Sequence, residues 1–142
     1  MACRSLFVIG LGAVLAACQP PPPRQQLDAE QVQQQGTKLA GLCAQGALLA
    51  DLVQQRGVTQ AFPYVEQQAV AASAQKAISN LSRPAGGEVI DAQQALLQLA
   101  IDLQATVTRI AEAQDERAAL QATGDKLRAM GARAQQLGRP AA

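Results

Sequence analysis

Few side chains in this 142-residue chain are suited to covalent or acid–base chemistry. It has no histidine and three cysteines, and its 11 acidic residues are mostly scattered. Without histidine, the chain lacks the usual general base at neutral pH and the commonest metal ligand. No glycine-rich phosphate loop or nucleophile-elbow motif is present. We therefore expect no catalytic site, no metal site, no cofactor and no small-molecule substrate, which leaves the cysteines as the reactive groups.

Cys18 stands where an apolar segment gives way to a polar, proline-rich one. The run LFVIGLGAVLAA, residues 6–17, has no charged or strongly polar side chain, and Arg4 is the only charge before Arg24. A membrane-spanning helix needs roughly 20 apolar residues, whereas the core of a signal peptide needs about 7–15. The length of the run therefore favours a signal peptide that ends beside Cys18.

The residues Leu15, Ala16, Ala17 and Cys18 resemble the lipobox of bacterial lipoproteins, in which a leucine and two small residues precede an invariant cysteine. Small side chains leave the backbone before the cysteine open to signal peptidase, and only a thiol gives a thioether to diacylglycerol. The resemblance implies that residues 1–17 are a signal peptide and that Cys18 is the lipidated first residue of the mature protein, carrying fatty acids such as palmitate. The alternatives are an uncleaved hydrophobic segment and a buried thiol.

The residues after Cys18 bear on location. Gram-negative lipoproteins retained at the inner membrane commonly carry aspartate after the cysteine, whereas this chain has Gln19. For a Gram-negative source, the resemblance implies a lipid-anchored protein on the periplasmic face of the outer membrane. Pro20–Pro23 favour a stiff polyproline II segment rising about 3.1 Å per residue. Residues 18–26 are therefore predicted to form a lipidated, proline-rich linker.

The composition after residue 17 points to a neutral, helical domain. Removing Arg4 with the signal leaves 11 basic residues against 11 acidic ones, so there is no electrostatic case for a nucleic-acid partner. The chain is rich in Ala, Gln and Leu and poor in aromatic residues, which favours helices over strands. We expect residues 27–138 to form one all-α domain.

Apolar periodicity predicts long helices within that domain. Helix one should start near Asp28 and Glu30 and stop near Arg56 and Gly57. Helix two should run from the AFPYVE segment at residues 61–66 to Leu81. Helix three should begin near Glu88 and Asp91, with a seam typical of bundles and coiled coils. The stripes of the three helices contain, in order, Val32, Leu39, Leu42, Gly46, Leu49 and Val53; Val65, Ala69, Val70, Ala74, Ala77, Ile78 and Leu81; and Val89, Ala92, Leu96, Leu99, Leu103, Val107, Ile110 and Ala113.

Glycines mark two further features. Beyond Ala113 the apolar stripe shifts to another face, and Gly124 is the natural place for a break before the stop at Leu137-Gly138. The prediction is an antiparallel bundle of three long helices, or four if the last breaks near Gly124. Gly36, Gly41 and Gly46 lie inside helix one, where we expect them to let another helix approach closely; the alternative is that they make this helix less rigid.

Three residues of the domain are candidate contact sites. Cys43 lies beside the apolar stripe of helix one, and we interpret it as a small buried hydrophobe; the alternative is a disulfide between two chains. Phe62 and Tyr64 are the only large rings after residue 17. We expect them to close the end of the core, and the alternative is that they contact a partner protein.

These features favour a structural or protein-interaction lipoprotein that binds an envelope protein or itself. The alternative is an accessory lipoprotein that escorts or stabilises a secretion component, because helical pilotins resemble this chain in size, lipidation and all-α character. Spanin subunits of phages also combine a lipobox with prolines but are poorly folded, and an enzyme is the least favoured class. An escort domain should be a monomer with an apolar groove between helices, whereas a scaffold should self-associate.

Overall fold

Four α-helices form the fold in the computed structural model, which describes residues 26–55 and 61–139. The helices are α1 (Ala29–Gln54), α2 (Ala61–Leu81), α3 (Ile90–Glu112) and α4 (Arg117–Leu137), and one 3₁₀ turn, Gly87–Val89, precedes α3. The all-α class and the helical bundle are confirmed. The predicted signal peptide, Cys18 and the linker up to residue 25 lie outside the described residues, as do Arg56 and Gly57.

Neighbouring helices run antiparallel. Gly36 near the start of α1 lies against Gly138 after α4, whereas Gly46 farther along α1 lies against Leu127. In the same way, the amide of Gln67, early in α2, donates to the carbonyl of Thr108, late in α3, at 3.0 Å. None of the helices described here combines the length and the apolar content that a bilayer crossing requires.

The helix starts follow local signals in the sequence. Asp28 caps α1, because its side chain accepts a hydrogen bond from the backbone N–H of Gln31 at 2.8 Å. Pro63 is the third residue of α2, a position where the helix does not need its missing N–H. The predicted bounds of α2, near Ala61 and Leu81, agree with the structure.

The core is built mainly from the predicted stripes. The seam of α3 is buried at five positions, and α1 buries every residue of its stripe except the half-buried Leu42. In α2, Val65 and Ala69 were predicted on the apolar side and are exposed instead, because the buried side of that helix is the one that carries Val70, Ala74, Ala77 and Leu81.

The α1–α4 contact depends on small residues. Gly124, Gly131 and Gly138 recur every seven residues and all three are buried, so they lie on one face of α4. Ala50, Cys43 and Gly36 of α1 lie opposite them, in that order. This face has little side-chain volume, so the two helix backbones come close together. The expectation of close approach therefore holds for Gly36 and Gly46, but a Cβ at Gly41 would meet nothing within 4 Å.

Within the described residues, the structure has the four helices of the second alternative, but the position near Gly124 given for the break is wrong. Residue 124 lies inside a continuous α4, with its Cα facing Ala50 and Asp51 of α1. The chain turns instead at Ala113–Glu116, where the N–H of Glu116 donates to the carbonyl of Ala113 at 2.9 Å. The apolar seam ends there and three polar residues follow, so this segment has nothing to bury. Asp115 and Glu116 therefore lie between the helices and not on a helix surface.

Hydrogen bonds connect the start of α1 to the α2–α3 loop at the end of the bundle distant from the Ala113–Glu116 turn. Leu27, which is 2 % exposed, pairs through its backbone with the loop between α2 and α3: its N–H donates to the carbonyl of Pro84 at 2.8 Å and its carbonyl accepts from Gly86 at 3.2 Å. The amide of buried Gln93 donates to the carbonyls of Leu81 and Arg83. The chain thus enters α1 beside the α2–α3 loop, which we call the Leu27 end of the bundle.

Candidate functional site

The structure places the three candidate residues of the domain in two different settings. Cys43 is completely buried, whereas Phe62 and Tyr64 are 46 % and 56 % exposed. Cys18 lies outside the described residues. No group of three or more Cys, Asp or Glu side chains that could hold a metal ion occurs in residues 26–55 and 61–139. The exposed surface around the two rings is the candidate site.

Cys43 packs between α1 and α4. Its Cβ lies 3.3 Å from where a Cβ at Gly131 would stand, so its side chain fills the space that this glycine leaves. Burial raises the pKa of the Cys43 thiol from its ordinary value of 9.0 to about 11, because the charged thiolate loses its hydration. A disulfide between two chains would require this thiol to leave the α1–α4 contact, so the geometry favours the interpretation as a buried hydrophobe.

We expect Cys43 to resist alkylation in the folded protein. In a C3S/C18S variant, where Cys43 is the single thiol, the pKa shift alone leaves about a hundred-fold less thiolate at pH 8 than in the unfolded chain. Labelling with iodoacetamide should therefore be slower by at least about that factor than in urea, and mass spectrometry measures both rates. Similar rates in the two states would contradict the burial.

The raised pKa of Cys43 also makes the free energy of unfolding depend on pH. The thiol keeps its proton to a higher pH in the folded state than in the unfolded state. Its contribution to the free energy of unfolding is therefore complete below about pH 9 and is lost as the pH rises toward 11. A C43A variant should lack this fall in the free energy of unfolding between pH 9 and 11, which urea titrations at several pH values can measure.

The expectation that Phe62 and Tyr64 close the end of the core is wrong. Both rings are too exposed for that role, and the neighbouring Val65 is 62 % exposed. The first two turns of α2 instead bury Pro63 and Gln67. Phe62 contributes to a depression between α1 and α2, and the alternative, that the rings contact a partner protein, stays a prediction.

A groove runs between α1 and α2, and we call it the α1–α2 groove. At the end distant from Leu27 it forms an apolar cavity of about 180 Å³ lined by Leu48, Leu49, Leu52, Phe62 and Val70, with Gln45 and Glu66. Leu48 is 59 % exposed, so a large apolar side chain stands open beside the Phe62 ring. We call this part the apolar end of the groove.

The groove continues toward the Leu27 end as a second cavity of about 330 Å³, which adjoins the first at Gln45. Lys38 of α1 and Lys76 of α2 line it, together with Gln35, Gly41, Leu42, Ser73, Ala77 and Asn80. Both lysines are exposed, and no carboxylate lines this cavity. We call this part the basic end of the groove.

Gln35 is the unusual residue at the basic end. It is 8 % exposed, and its Oε1 atom is buried without a hydrogen-bond partner. A buried acceptor without a donor costs about 1–3 kcal/mol. This oxygen has almost no accessible surface, so the cost belongs to the packing of the fold and an occupant of the groove does not contact the atom.

Charged groups elsewhere serve the fold. The guanidinium of Arg128 in α4 pairs with Asp51 of α1 at 2.5 Å and with Asp125 at 2.8 Å, and Asp51 is the largest cause of its raised pKa. This cluster joins two helices at the surface and has no acid–base pair suited to proton transfer.

Sequence reasoning found Phe62 and missed the other groove residues. Lys38, Lys76 and Gln35 are ordinary polar residues for a helix surface, and only the packing of α1 against α2 brings them together. Leu48 had a visible signal, because it is a large apolar residue outside the predicted stripe of α1. No protein family, curated protein or solved structure matches this chain.

Proposed function

We propose that this protein is a lipoprotein of the cell envelope, anchored through Cys18, whose helical domain binds another protein and catalyses no reaction. The lipobox at residues 15–18 supports the anchor, and the proline-rich linker at residues 18–26 supports a domain held away from the lipid surface. Gln19 supports the periplasmic face of the outer membrane as its location.

The observation that carries the interaction role is the exposure of apolar groups at the apolar end of the groove. Leu48 and Phe62 both line this end and are 59 % and 46 % exposed, and exposed apolar clusters commonly mark contact sites. The α1–α2 groove extends along both helices, so this surface is concave and suited to a protruding segment of a partner.

The groove also favours the escort role over a self-associating scaffold. An escort domain needs a concave surface that holds one segment of its client, and the groove between α1 and α2 has that shape. From Leu27 to Leu48, α1 advances about 30 Å, so an anchor at Cys18 would hold the apolar end well away from the membrane. A client in the periplasm could then reach it.

The anchor is tested by metabolic labelling. Cells that express the full chain should incorporate radiolabelled palmitate into it, and mass spectrometry should find Cys18 at the mature N-terminus. A C18S variant should incorporate none and should leave the membrane fraction, whereas C43S should label like the wild type. An unlabelled wild-type chain that keeps residues 1–17 would overturn the proposal of a lipoprotein.

The interaction role is tested separately, by cross-linking in intact cells. A photoreactive amino acid at position 48 or 62 should cross-link to one dominant envelope protein, and the same group at position 117, on α4, should not. Cross-links distributed equally over many proteins from both positions would argue against a specific partner. Cross-links only between copies of this chain would replace the escort role by self-association.

A further inference from the structure

We propose that the α1–α2 groove binds an extended acidic segment of a partner protein. A carboxylate side chain lies between Lys38 and Lys76, and apolar side chains fill the apolar end. The inference rests on the interaction role proposed above and specifies the chemistry of the partner.

The charge at the basic end selects an anion. Lys38 and Lys76 line one cavity from two different helices, and among the described residues neither forms an ion pair. The chain as a whole is close to neutral, with a formal net charge of +1, so this positive pair is a local feature. A carboxylate between two lysines gains from both, and because both lysines are exposed, this gain should fall as the salt concentration rises.

Gly41 lies in the wall of the basic end without a role in the packing of the bundle. A glycine inside a helix costs about 1 kcal/mol relative to alanine. Gly36 and Gly46 accommodate close neighbours, but a Cβ at Gly41 would meet nothing within 4 Å. The missing side chain keeps the groove open at this point, so that the backbone of a peptide can approach the helix.

The length of the groove fits a short segment. The distance along α1 from Gln35 to Leu52 is about 25 Å, which seven or eight extended residues span at about 3.3 Å each. Every acidic residue of the chain lies between Asp28 and Asp125, in the described helices and turns. The undescribed residues of the same chain therefore lack an acidic side chain for the lysine pair, and we assign the segment to another protein.

The test is selection from a phage-displayed library of random 12-residue peptides, with the full chain immobilised in detergent micelles. Enriched peptides should carry aspartate or glutamate together with a cluster of apolar residues. Synthetic versions are then measured by fluorescence anisotropy. Binding should weaken by about ten-fold or more in a K38E/K76E variant. A K126E/R117E variant, with the same change of charge on α4, should bind within about two-fold of the wild type.

A G41L variant tests the groove itself. Leucine is a better helix former than glycine and enters open space at this position, so the variant should be at least as stable as the wild type in urea while losing peptide binding. Enrichment of no peptide, enrichment without acidic residues, or full binding by G41L would overturn the proposal.

Two further outcomes are distinguishable. If sedimentation shows a dimer that G41L dissociates, the groove holds a second copy of this chain and the assignment to another protein is wrong. Peptide binding in micelles does not depend on fatty acids at Cys18. A failure of palmitate labelling would therefore leave the peptide-binding proposal intact, and a failure of peptide binding would leave the proposal of a lipid anchor intact.

Discussion

Replacing Gly36 with alanine is expected to lower the free energy of unfolding by about 1–3 kcal/mol, whereas the same replacement at Gly41 should raise it by up to about 1 kcal/mol. A Cβ at Gly36 would stand 2.8 Å from the Cα of Gly138 and 2.9 Å from the carbonyl oxygen of Ala134. Both neighbours are backbone atoms, so the helices themselves must move apart.

Gly41 is a matched control, since it lies in the same helix only five residues away and has open space where its Cβ would stand. Alanine therefore adds helix propensity there without a clash. Urea unfolding followed by circular dichroism at 222 nm measures both variants. Equal effects of the two substitutions, in either direction, would show that α1 and α4 are not in the close contact described above.

Replacing Leu127 with alanine should lower the free energy of unfolding by about 2–5 kcal/mol. Leu127 is completely buried, and its Cδ1 atom lies 3.2 Å from where a Cβ at Gly46 would stand. The truncation leaves a cavity at the centre of the α1–α4 contact. For a small domain with a total stability of about 5–15 kcal/mol, this is a large fraction. Leu48→Ala, at an exposed position, should change stability by less than about 0.5 kcal/mol.

A second substitution, at Gly46, tests whether the loss of stability in L127A arises at the contact between residues 46 and 127. In the wild type, a methyl group at position 46 crowds Leu127 and Val107, whereas in the L127A background it partly fills the cavity. Gly46→Ala should therefore be more favourable in L127A than in the wild type, with a coupling energy of at least about 0.5 kcal/mol. A double-mutant cycle in urea measures it, and additive effects would contradict the contact between the two residues.

The sequence predicted the helices best where local chemistry determines them. The bounds of α2 follow from Pro63 and from the turn residues after Leu81, and the capping residue Asp28 sets the start of α1. The seam of α3 was visible in the sequence because apolar residues that recur every three or four positions indicate one buried face of a helix. None of these inferences required knowledge of which helices are neighbours.

The features that the sequence did not predict depend on which helices pack against each other. Gly124 was interpreted by its helix propensity, but the repeat of seven residues through Gly124, Gly131 and Gly138 serves the contact with α1, and this repeat was the signal that the interpretation overlooked. Phe62 was assigned to the core by its size, whereas the pairing of α1 with α2 leaves it at the edge of a groove. Tertiary contacts override propensity and size in both cases.

The backbone pairing of Leu27 also determines how the domain responds to pulling. A force applied to the chain before residue 26 acts first on the two hydrogen bonds between Leu27 and the segment Pro84–Gly86, and only afterwards on the first turn of α1. The tension therefore passes into the α2–α3 hairpin as well as into α1. An extension experiment with optical tweezers should show an early, small lengthening as this fastening opens, followed by the unfolding of the bundle.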